Sequence, residues 1–240
     1  MAKLSVNINK VATLRNARGG NIPDIIQFAI DCQRFGADGI TVHPRPDERH
    51  IKYLDVIELN EVVITEFNIE GYPDERYMEL INKVKPAQAT LVSDPPHIIT
   101  SNNGWDVINN MVQLKEIISK IKSLGIRVSI FLNPDIDQVN AASESGTDRV
   151  EFYTGPYAED YKTDKEAAIK NYISAANAAH KLGLGINAGH DLNLANLNFF
   201  KQNIQHLNEV SIGHALISDA LYYGIENTIQ LYKRELRTRR

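Results

Sequence analysis

Residues 36–50 read GADGITVHPRPDERH, and this stretch sets the expectation for the rest of the chain. Thr41 and His43 lie two positions apart in what looks like a short strand, so they share one face, while Ile40 and Val42 point the other way. A polar loop follows at once, with two arginines and a second histidine. A histidine at the carboxyl end of a strand, next to a cationic loop, is typical of sites in parallel α/β folds.

The composition is that of an ordinary globular protein. Of its 240 residues, 43% are hydrophobic and 23% are charged, and the formal net charge is -4. This charge argues against nucleic-acid binding, so any bound anion needs a local cluster of donors. The single cysteine, Cys32, excludes a disulfide framework and favours a reducing compartment. The N-terminus lacks the apolar core of a signal peptide and no apolar run has membrane-spanning length, so we expect a cytoplasmic protein without a membrane partner.

Strand and helix patterns alternate along the whole chain. The expected strands cover residues 3–8, 40–43, 62–70, 89–92, 127–132, 149–153, 184–187 and 209–212. Eight strand–helix units in a chain of about 250 residues predict parallel pairing and a closed (β/α)8 barrel. No linker composition marks a boundary, so we expect one domain over residues 1–240. An open doubly wound sheet is the alternative, but no glycine-rich dinucleotide fingerprint follows the first strand.

The helix patterns also predict boundaries. Helices are expected over residues 47–60, 105–124, 194–204 and 215–234. Thr163 and Glu166 have the spacing of a capping box, which would open the helix that ends before Gly183. Residues 154–161 are expected to form a long loop after the sixth strand, either a lid over the substrate or an ordinary surface loop.

Several predicted strands carry polar residues on one face, whereas parallel strands covered on both faces should be almost wholly apolar. The polar positions recur at period two: Ser5, Asn7, Asn9, Thr41, His43, Glu66, Asn68, Glu70, Glu151, Tyr153, Asn187 and Ser211. Carboxylates and amides inside a barrel are costly unless they are hydrogen-bonded or paired. Their convergence predicts a polar cavity that opens at the carboxyl ends of the strands. A satisfied polar network without chemistry is the alternative.

Ordered blocks across nearly the whole chain resemble one enzyme family. They are VNIN at residues 6–9, ATLRNARG at 12–19, GADGITVH at 36–43, NIE at 68–70, NAGH at 187–190 and IGHA at 212–215. Together they resemble the pyridoxine 5′-phosphate synthase (PdxJ) family. The resemblance implies a (β/α)8 barrel with additional short helices, assembled as a homo-octamer and working without metal or organic cofactor. It also implies that 3-amino-2-oxopropyl phosphate and 1-deoxy-D-xylulose 5-phosphate condense to pyridoxine 5′-phosphate, phosphate and water.

The resemblance assigns proton transfer to three residues at or just beyond strand ends. His43 and Glu70 match the general bases of the family, and His190 matches its general acid. Imidazole suits both directions of proton transfer because its ordinary pKa lies near neutrality. Burial raises the pKa of a carboxylate toward the working pH, which suits a base. Glu151, which also faces inward, is expected to support this proton network.

The substrates implied by the resemblance carry two phosphates. Gly213 and His214 lie where the eighth strand meets a helix, and backbone N–H groups at a helix N-terminus bind phosphate. Arg45 and His50, with a hydroxyl from Thr100, are expected to hold the other phosphate, because an arginine fork pairs with two phosphate oxygens. Further matches to substrate-binding positions are Asn7, Asn9, Lys10, Arg18 and Asp191.

The chain departs from the common family pattern at several positions. Asn9-Lys10 stands where Asp-His is common, so only main-chain contacts there would carry over. Asp191 stands where glycine is common, and its charge opposes an anion contact. Pro44 with Pro46, and residues 93–97, also differ. Arg15, in the block at residues 12–19, is expected to be a solvated surface charge.

Two other functions stay open from the residues alone. One is another barrel enzyme acting on sugar phosphates, an isomerase or an aldolase. A Schiff-base aldolase needs a lysine at an inward strand end, and Lys10 is expected to point away from the lumen by strand alternation. The other is a non-catalytic barrel that binds phosphorylated metabolites, which would not need His43, Glu70 and His190 together. No histidines lie at metal-ligand spacing with cysteine or with each other, so no metal is expected.

Overall fold

The computed structural model describes residues 2–93 and 103–237. Thr100 and most of the departure at residues 93–97 therefore lie outside the described residues. Eight parallel strands close a barrel in which each strand pairs with the next and the last pairs with the first. The predicted fold class, a (β/α)8 barrel with additional short helices, is confirmed.

Strands and helices follow each other in the predicted order. The strands are β1 (Lys3–Asn7), β2 (Gly39–Val42), β3 (Glu66–Gly71), β4 (Gln88–Leu91), β5 (Arg127–Leu132), β6 (Arg149–Phe152), β7 (Gly185–Ala188) and β8 (Leu207–Ile212). The helices in the described residues are α1 (Asn9–Arg18), α2 (Ile25–Arg34), α3 (Tyr53–Val62), α4 (Glu75–Val84), α5 (Met111–Ser123), α6 (Ile136–Ser145), α7 (Gly155–Asp160), α8 (Lys165–Lys181), α9 (Leu197–Asn203), α10 (His214–Tyr223) and α11 (Ile225–Glu235). Two helices follow each of β1, β6 and β8, which accounts for the additional helices.

The outward faces of the strands form the core against the helices. Val6, Ile40, Ile69, Ile130 and Val150 are fully buried there. Burying each such side chain contributes about 1.5–3 kcal/mol relative to leaving it exposed. Because successive side chains of a strand point to opposite faces, the residues between these apolar ones face the lumen, where the polar side chains lie.

The middle of the lumen is a hydrogen-bonded polar layer. The hydroxyls of Ser5 and Thr41 lie 2.7 Å apart, and the Asn68 amide donates to the Thr41 hydroxyl at 3.3 Å. Thr90 and Gln88, which the sequence analysis did not single out, both donate to the Asn68 carbonyl oxygen, at 2.9 and 3.2 Å. At this level the alternative of a satisfied structural network is correct.

The amino-terminal end of the lumen holds paired charges. Glu66 pairs with both Lys3 and Arg127. Arg149 lies 3.8 Å from a Glu209 carboxylate oxygen and donates to Asn187. These carboxylates therefore have cationic partners, as buried charges require.

Three predicted helices begin or end elsewhere because local polar groups compete for the backbone. The helix expected over 105–124 begins at Met111, since the Asp106 side chain accepts from the N–H of Asn109 and so forms a turn before the helix. The helix expected over 47–60 begins at Tyr53, after a loop in which Glu48 has φ 53°. The helix expected over 215–234 is two helices, divided at Gly224, whose φ of 73° ends α10.

The capping box predicted at Thr163 is wrong by one residue. Asp164 is the N-cap of α8, and its side chain accepts from the N–H groups of Glu166 and Ala167 at 3.1 and 3.0 Å. A carboxylate that reaches both N–H groups satisfies more of the helix end than the hydroxyl would.

The prediction of a long loop at residues 154–161, either a lid or an ordinary surface loop, is also wrong. These residues contain the short helix α7, and Tyr157 is fully buried among the rings of Tyr172, Phe200 and Tyr161. The Tyr157 hydroxyl donates to the Asn196 carbonyl at 2.7 Å. Opening this segment would expose an aromatic cluster and break that bond, so it is part of the packed barrel wall.

Across the described ranges, none of the helices combines the length and apolar character needed to cross a bilayer.

Candidate active site

A cavity of about 340 Å³ opens at the carboxyl-terminal end of the barrel. Its floor is built from the last inward residues of the strands, and its rim from the loops that follow them. Twelve predicted site residues line it: Asn7, Asn9, Lys10, His43, Arg45, His50, Glu70, Glu151, His190, Asp191, Gly213 and His214. Arg18 is exposed at the end of α1 and does not line it. The cavity lining also includes Arg49, Phe131 and Ser211, which the prediction left out.

Glu70 and His43 face each other at the floor of the cavity. A carboxylate oxygen of Glu70 lies 3.9 Å from Nδ1 of His43. Burial raises the pKa of Glu70 to about 7, although nearby His190 and Arg45 act in the opposite direction. Burial, reinforced by the charge of Arg45, lowers the pKa of His43 well below its usual value. Near pH 7 the pair therefore holds a half-ionised carboxyl group beside a neutral imidazole.

Glu151 is buried in the lumen, and its surroundings favour the neutral form. Burial raises its pKa well above the ordinary value, and the charges of Glu70 and Glu209 add to this effect. Its Oε2 atom has no hydrogen-bond partner among the described residues. A Cβ on Gly189 would lie 3.0 Å from Glu151 Oε1 and 2.7 Å from the Ser211 carbonyl oxygen, so a side chain at Gly189 would clash.

Two asparagines fix the position of His43. The Asn7 side chain accepts from the N–H of Asn9 at 3.1 Å, and the Asn9 side chain accepts from the N–H of His43 at 2.9 Å. Asn9 and Lys10 are the first residues of α1, because β1 ends at Asn7. The prediction that Lys10 points away from the lumen is therefore wrong: strand alternation no longer applies there, and Lys10 lines the cavity.

One side of the cavity carries a cationic cluster, formed by Lys10, Arg45, Arg49 and His50. The His50 Nδ1 atom accepts from the N–H of Ile51 at 2.9 Å, which assigns the ring proton to Nε2. Burial, together with the charges of Arg45 and Lys10, lowers the pKa of His50 to about 4. At neutral pH His50 is thus an uncharged donor beside three cations. Arg49 lies in the same loop as Arg45 and His50, so its position next to predicted site residues could have indicated that it lines the cavity.

Arg15 is not the solvated charge that the sequence predicted. It is 4% exposed, and its guanidinium donates to both carboxylate oxygens of Asp55 at 2.7 and 2.8 Å. It also donates to the His50 carbonyl at 3.3 Å, which Asn16 contacts at 2.8 Å. Arg15 lies four residues after Val11, on the buried face of α1. Because residues four apart share a helix face, this spacing could have indicated that Arg15 is buried. The ion pair of Arg15 and Asp55 therefore anchors the loop that carries most of the cationic cluster.

The opposite side of the cavity is a helix N-terminus. Gly213 is the N-cap of α10 and provides no side-chain cap, and His214 is the first helical residue. A Cβ on Gly213 would lie 3.1 Å from the Asn7 side-chain oxygen, so glycine allows this close approach. N–H groups at such an end attract anions. The cavity thus lies between two regions that favour negative charge.

His190 and Asp191 form the rim next to this helix end. Nδ1 of His190 lies 2.7 Å from Oδ2 of Asp191. This hydrogen bond is the main cause that lowers the pKa of Asp191. Asp191 has φ 67°, the left-handed conformation that glycine adopts readily, so the carboxylate occupies a backbone site suited to glycine.

Among residues 2–93 and 103–237, no group of three or more histidine, cysteine or acidic side chains is arranged to hold a metal ion.

A (β/α)8 barrel with acidic and imidazole groups meeting at the carboxyl ends of its strands defines a barrel enzyme of the acid–base type. Solved structures share the fold. Mycobacterium tuberculosis tryptophan synthase matches with TM-score 0.68 and 11% identity over 99% of this chain and 93% of that chain. Phosphoribosylanthranilate isomerase from Thermotoga maritima matches with TM-score 0.60 and 13% identity over 98% of both chains. These identities support the fold alone.

Sequence relatives define the family. The family profile described as "Pyridoxal phosphate biosynthesis protein PdxJ" matches residues 4–238. Pyridoxine 5′-phosphate synthase from Cytophaga hutchinsonii is 62% identical over 99% of this chain and 100% of its own length. The Bacteroides fragilis protein of the same name is 59% identical over 99% and 100%. The chain belongs to the PdxJ family. The predicted family, the enzyme class and the pyridoxine 5′-phosphate synthase function in vitamin B6 biosynthesis are thereby confirmed.

The buried pair of Arg15 on α1 and Asp55 on α3 leads to a stability prediction. Replacing Arg15 with methionine leaves Asp55 as a buried charge without its partner, so we expect the free energy of unfolding to fall by about 3–5 kcal/mol in urea titrations. The control is Arg34→Met on α2, whose exposed pair with Asp31 at 3.3 Å contributes no more than about 1 kcal/mol. Equal effects of the two substitutions would contradict the anchoring role.

Proposed function

We propose that this cavity condenses 3-amino-2-oxopropyl phosphate with 1-deoxy-D-xylulose 5-phosphate, giving pyridoxine 5′-phosphate, phosphate and water. One observation carries the proposal. Glu70, a carboxyl group with a pKa of about 7, lies 3.9 Å from His43 in a cavity lined on one side by a cationic cluster and on the other by a helix N-terminus. The phosphate groups of the two substrates can thus be held on opposite sides of the cavity. Their reacting carbons would then lie between the two phosphates, near Glu70 and His43.

The two anion-favouring regions are proposed to bind the two phosphates. At the cationic cluster, Arg45 offers a planar fork of donors and His50 an uncharged Nε2–H. At the other side, Gly213 and His214 present backbone N–H groups. A local cluster of this kind is what a chain with net charge -4 needs in order to bind phosphate esters. Asn7, Asn9 and Lys10 line the cavity between these regions and are proposed to contact substrate; Arg18 and Thr100 stay predictions from the resemblance.

Proton transfer is proposed to run through the cavity floor and rim. Schiff-base formation between the amine and the ketone, ring closure, dehydration and phosphate loss each require a proton to be moved. His43 is neutral because its pKa is low, and can accept a proton without first losing one. Glu70 is half-ionised near pH 7, so it can take a proton from carbon and return it. His190, at the rim, is proposed to protonate the leaving oxygen.

Glu151 is proposed to support Glu70. Because its pKa lies well above the ordinary value, it stays protonated and can donate a hydrogen bond at neutral pH. A neutral neighbour avoids placing two carboxylate charges side by side in a buried site.

Other features remain proposals that rest on the sequence and the family resemblance. These are one domain over residues 1–240, a homo-octamer, a cytoplasmic location and catalysis without metal or organic cofactor. For the oligomer, several large hydrophobic residues are exposed on the single chain, among them Ile64 at 89% and Tyr222 at 86%, as expected of surfaces covered by other copies.

Glu70→Gln tests the proposed base. We expect the variant to fold and bind both substrates but to form product about 10²–10⁴-fold more slowly, because the amide cannot accept the proton. The assay mixes both substrates without metal and follows the absorbance of the pyridine product. Glu66→Gln is the matched control, because Glu66 lies on the same face of β3 at the other end of the barrel, paired with Lys3 and Arg127. Near-normal turnover by Glu70→Gln would remove Glu70 from the mechanism.

The pKa of Glu70 also predicts the pH dependence of the rate. A general base must be ionised, and ionisation is lost as the pH falls through the pKa of about 7. We therefore expect kcat measured from about pH 3.5 to 9 to decrease on the acidic side with a midpoint near 7. A midpoint near 4.5, the value of an exposed glutamate, would show that Glu70 is not the titrating base.

Arg45→Ala tests the cationic cluster. Loss of a charged hydrogen bond to phosphate should raise the KM of one substrate by about 10- to 100-fold and leave the KM of the other nearly unchanged. Steady-state titration of each substrate at saturating levels of its partner measures both values. Arg34→Ala, on the exposed face of α2, serves as the charge-matched control. If Arg45→Ala leaves both KM values unchanged, the phosphate site lies elsewhere.

A further inference from the structure

The imidazole of His190 has a carboxylate partner that belongs to the next residue in the chain. Nδ1 of His190 and Oδ2 of Asp191 are 2.7 Å apart, a hydrogen-bond distance. A ring nitrogen that donates to a carboxylate leaves the other nitrogen, Nε2, for the substrate. Neighbouring residues in an extended chain point in opposite directions, so this contact requires an unusual backbone at Asp191.

The backbone at Asp191 has that unusual conformation. Its φ of 67° lies in the left-handed region, which costs about 1 kcal/mol or more for a residue with a side chain. The Asp191 carbonyl accepts from the side-chain amides of Asn193 and Asn196 at 3.2 and 3.3 Å. Asn196 is buried, and its oxygen accepts from the N–H of Asn193 at 2.8 Å. The turn thus holds the strained residue in place and directs its carboxylate back to His190.

Other contacts fix the imidazole itself. The ring of Tyr153 meets the ring of His190 edge to face, with centroids 5.3 Å apart and planes at 74°. The Thr154 hydroxyl lies against the carbonyl oxygens of Gly189 and His190, and Thr154 is fully buried. Backbone, ring face and Nδ1 are therefore all constrained, while the residue remains on the cavity wall.

We propose that Asp191 is a positioning residue that orients the His190 imidazole through Nδ1 and favours its protonated form, so that Nε2–H can donate to the leaving group. This inference rests on the proposed role of His190 as general acid. It assigns the Asp191 side chain to a hydrogen bond within the protein rather than to the substrate. Its charge, which would repel a phosphate, instead stabilises the acid that faces the phosphate.

The charges around the pair determine the sign of this effect. Glu70 on β3 and Asp191 both place negative charge near His190 when they are ionised. His214, at the start of α10, acts on Asp191 as a positive charge when protonated. Tyr153, after β6, is uncharged in the working range because burial raises its pKa. Since Asp191 and His190 are partly exposed, solvent screens the interaction and its effect on the titration is moderate.

Asp191→Asn tests the charge while keeping a side chain of the same size. In the otherwise intact protein, we expect the NMR titration of the His190 ring to move to lower pH, because a neutral amide no longer stabilises the charged ring. The alkaline limb of kcat should move in the same direction, because the general acid must be protonated, whereas the KM of both substrates should change little. Asp160→Asn, on the outer helix α7, is the charge-matched control and should change neither titration.

Asp191→Gly separates positioning from folding. Glycine relieves the strain at φ 67°, so we expect the free energy of unfolding to stay equal or rise, while the alkaline limb still moves to lower pH. An unchanged His190 titration and an unchanged alkaline limb in both Asp191 variants would overturn the proposal.

The proposed function is tested separately by His190→Asn. Normal turnover by that variant would show that His190 is not the acid. If His190→Asn loses turnover while both Asp191 variants keep the wild-type His190 titration and alkaline limb, only the role of Asp191 is refuted.

Discussion

Carboxylates buried inside a closed barrel impose the constraint on which the site depends. At the amino-terminal end, Lys3 and Arg127 outweigh the effect of burial and lower the pKa of Glu66, whereas burial raises the pKa of Glu209, whose partner Arg149 lies 3.8 Å away. At the carboxyl end, Glu70 and Glu151 are buried with weaker compensation, and their pKa values rise. The same chemical group is therefore a paired carboxylate at Glu66 and titrates near neutral pH at Glu70, on the same strand. Desolvation without a directly paired cation is what separates these two residues.

The cationic cluster depends on the buried pair of Arg15 and Asp55 behind it. Within this loop Asp47 pairs with Arg49, and further contacts hold the loop to the rest of the protein. Arg15 and Asn16 both bind the His50 carbonyl, and Arg76 donates to the carbonyl of Arg45 and to the carboxylate of Glu48. These contacts order the loop from the protein side. A preorganised anion site loses less entropy on binding than a mobile one.

The sequence predicted the barrel and most of the cavity because period two and strand–helix alternation are local signals. Polar residues at alternate strand positions, such as Asn68 and Glu151, directly predicted a polar lumen. The roles of His43, Glu70 and His190 came from the family resemblance. Arg15 and Lys10 were misplaced because β1 ends one residue earlier than expected and the helix α1 begins at Asn9, which changes the direction of every later side chain. Packing of Tyr157 depends on residues far away in the chain, so α7 could not be foreseen.

Asn7 sits at the seam where the first strand meets the last. It accepts from the N–H of Asn9, whose side chain in turn accepts from the N–H of His43, and it touches the position that any side chain on Gly213 would occupy. Two hydrogen bonds thus run in series from Asn7 to the backbone of His43. Any side chain at Gly213 would press on Asn7 and so act, through Asn9, on the backbone of His43 across the closure of the barrel.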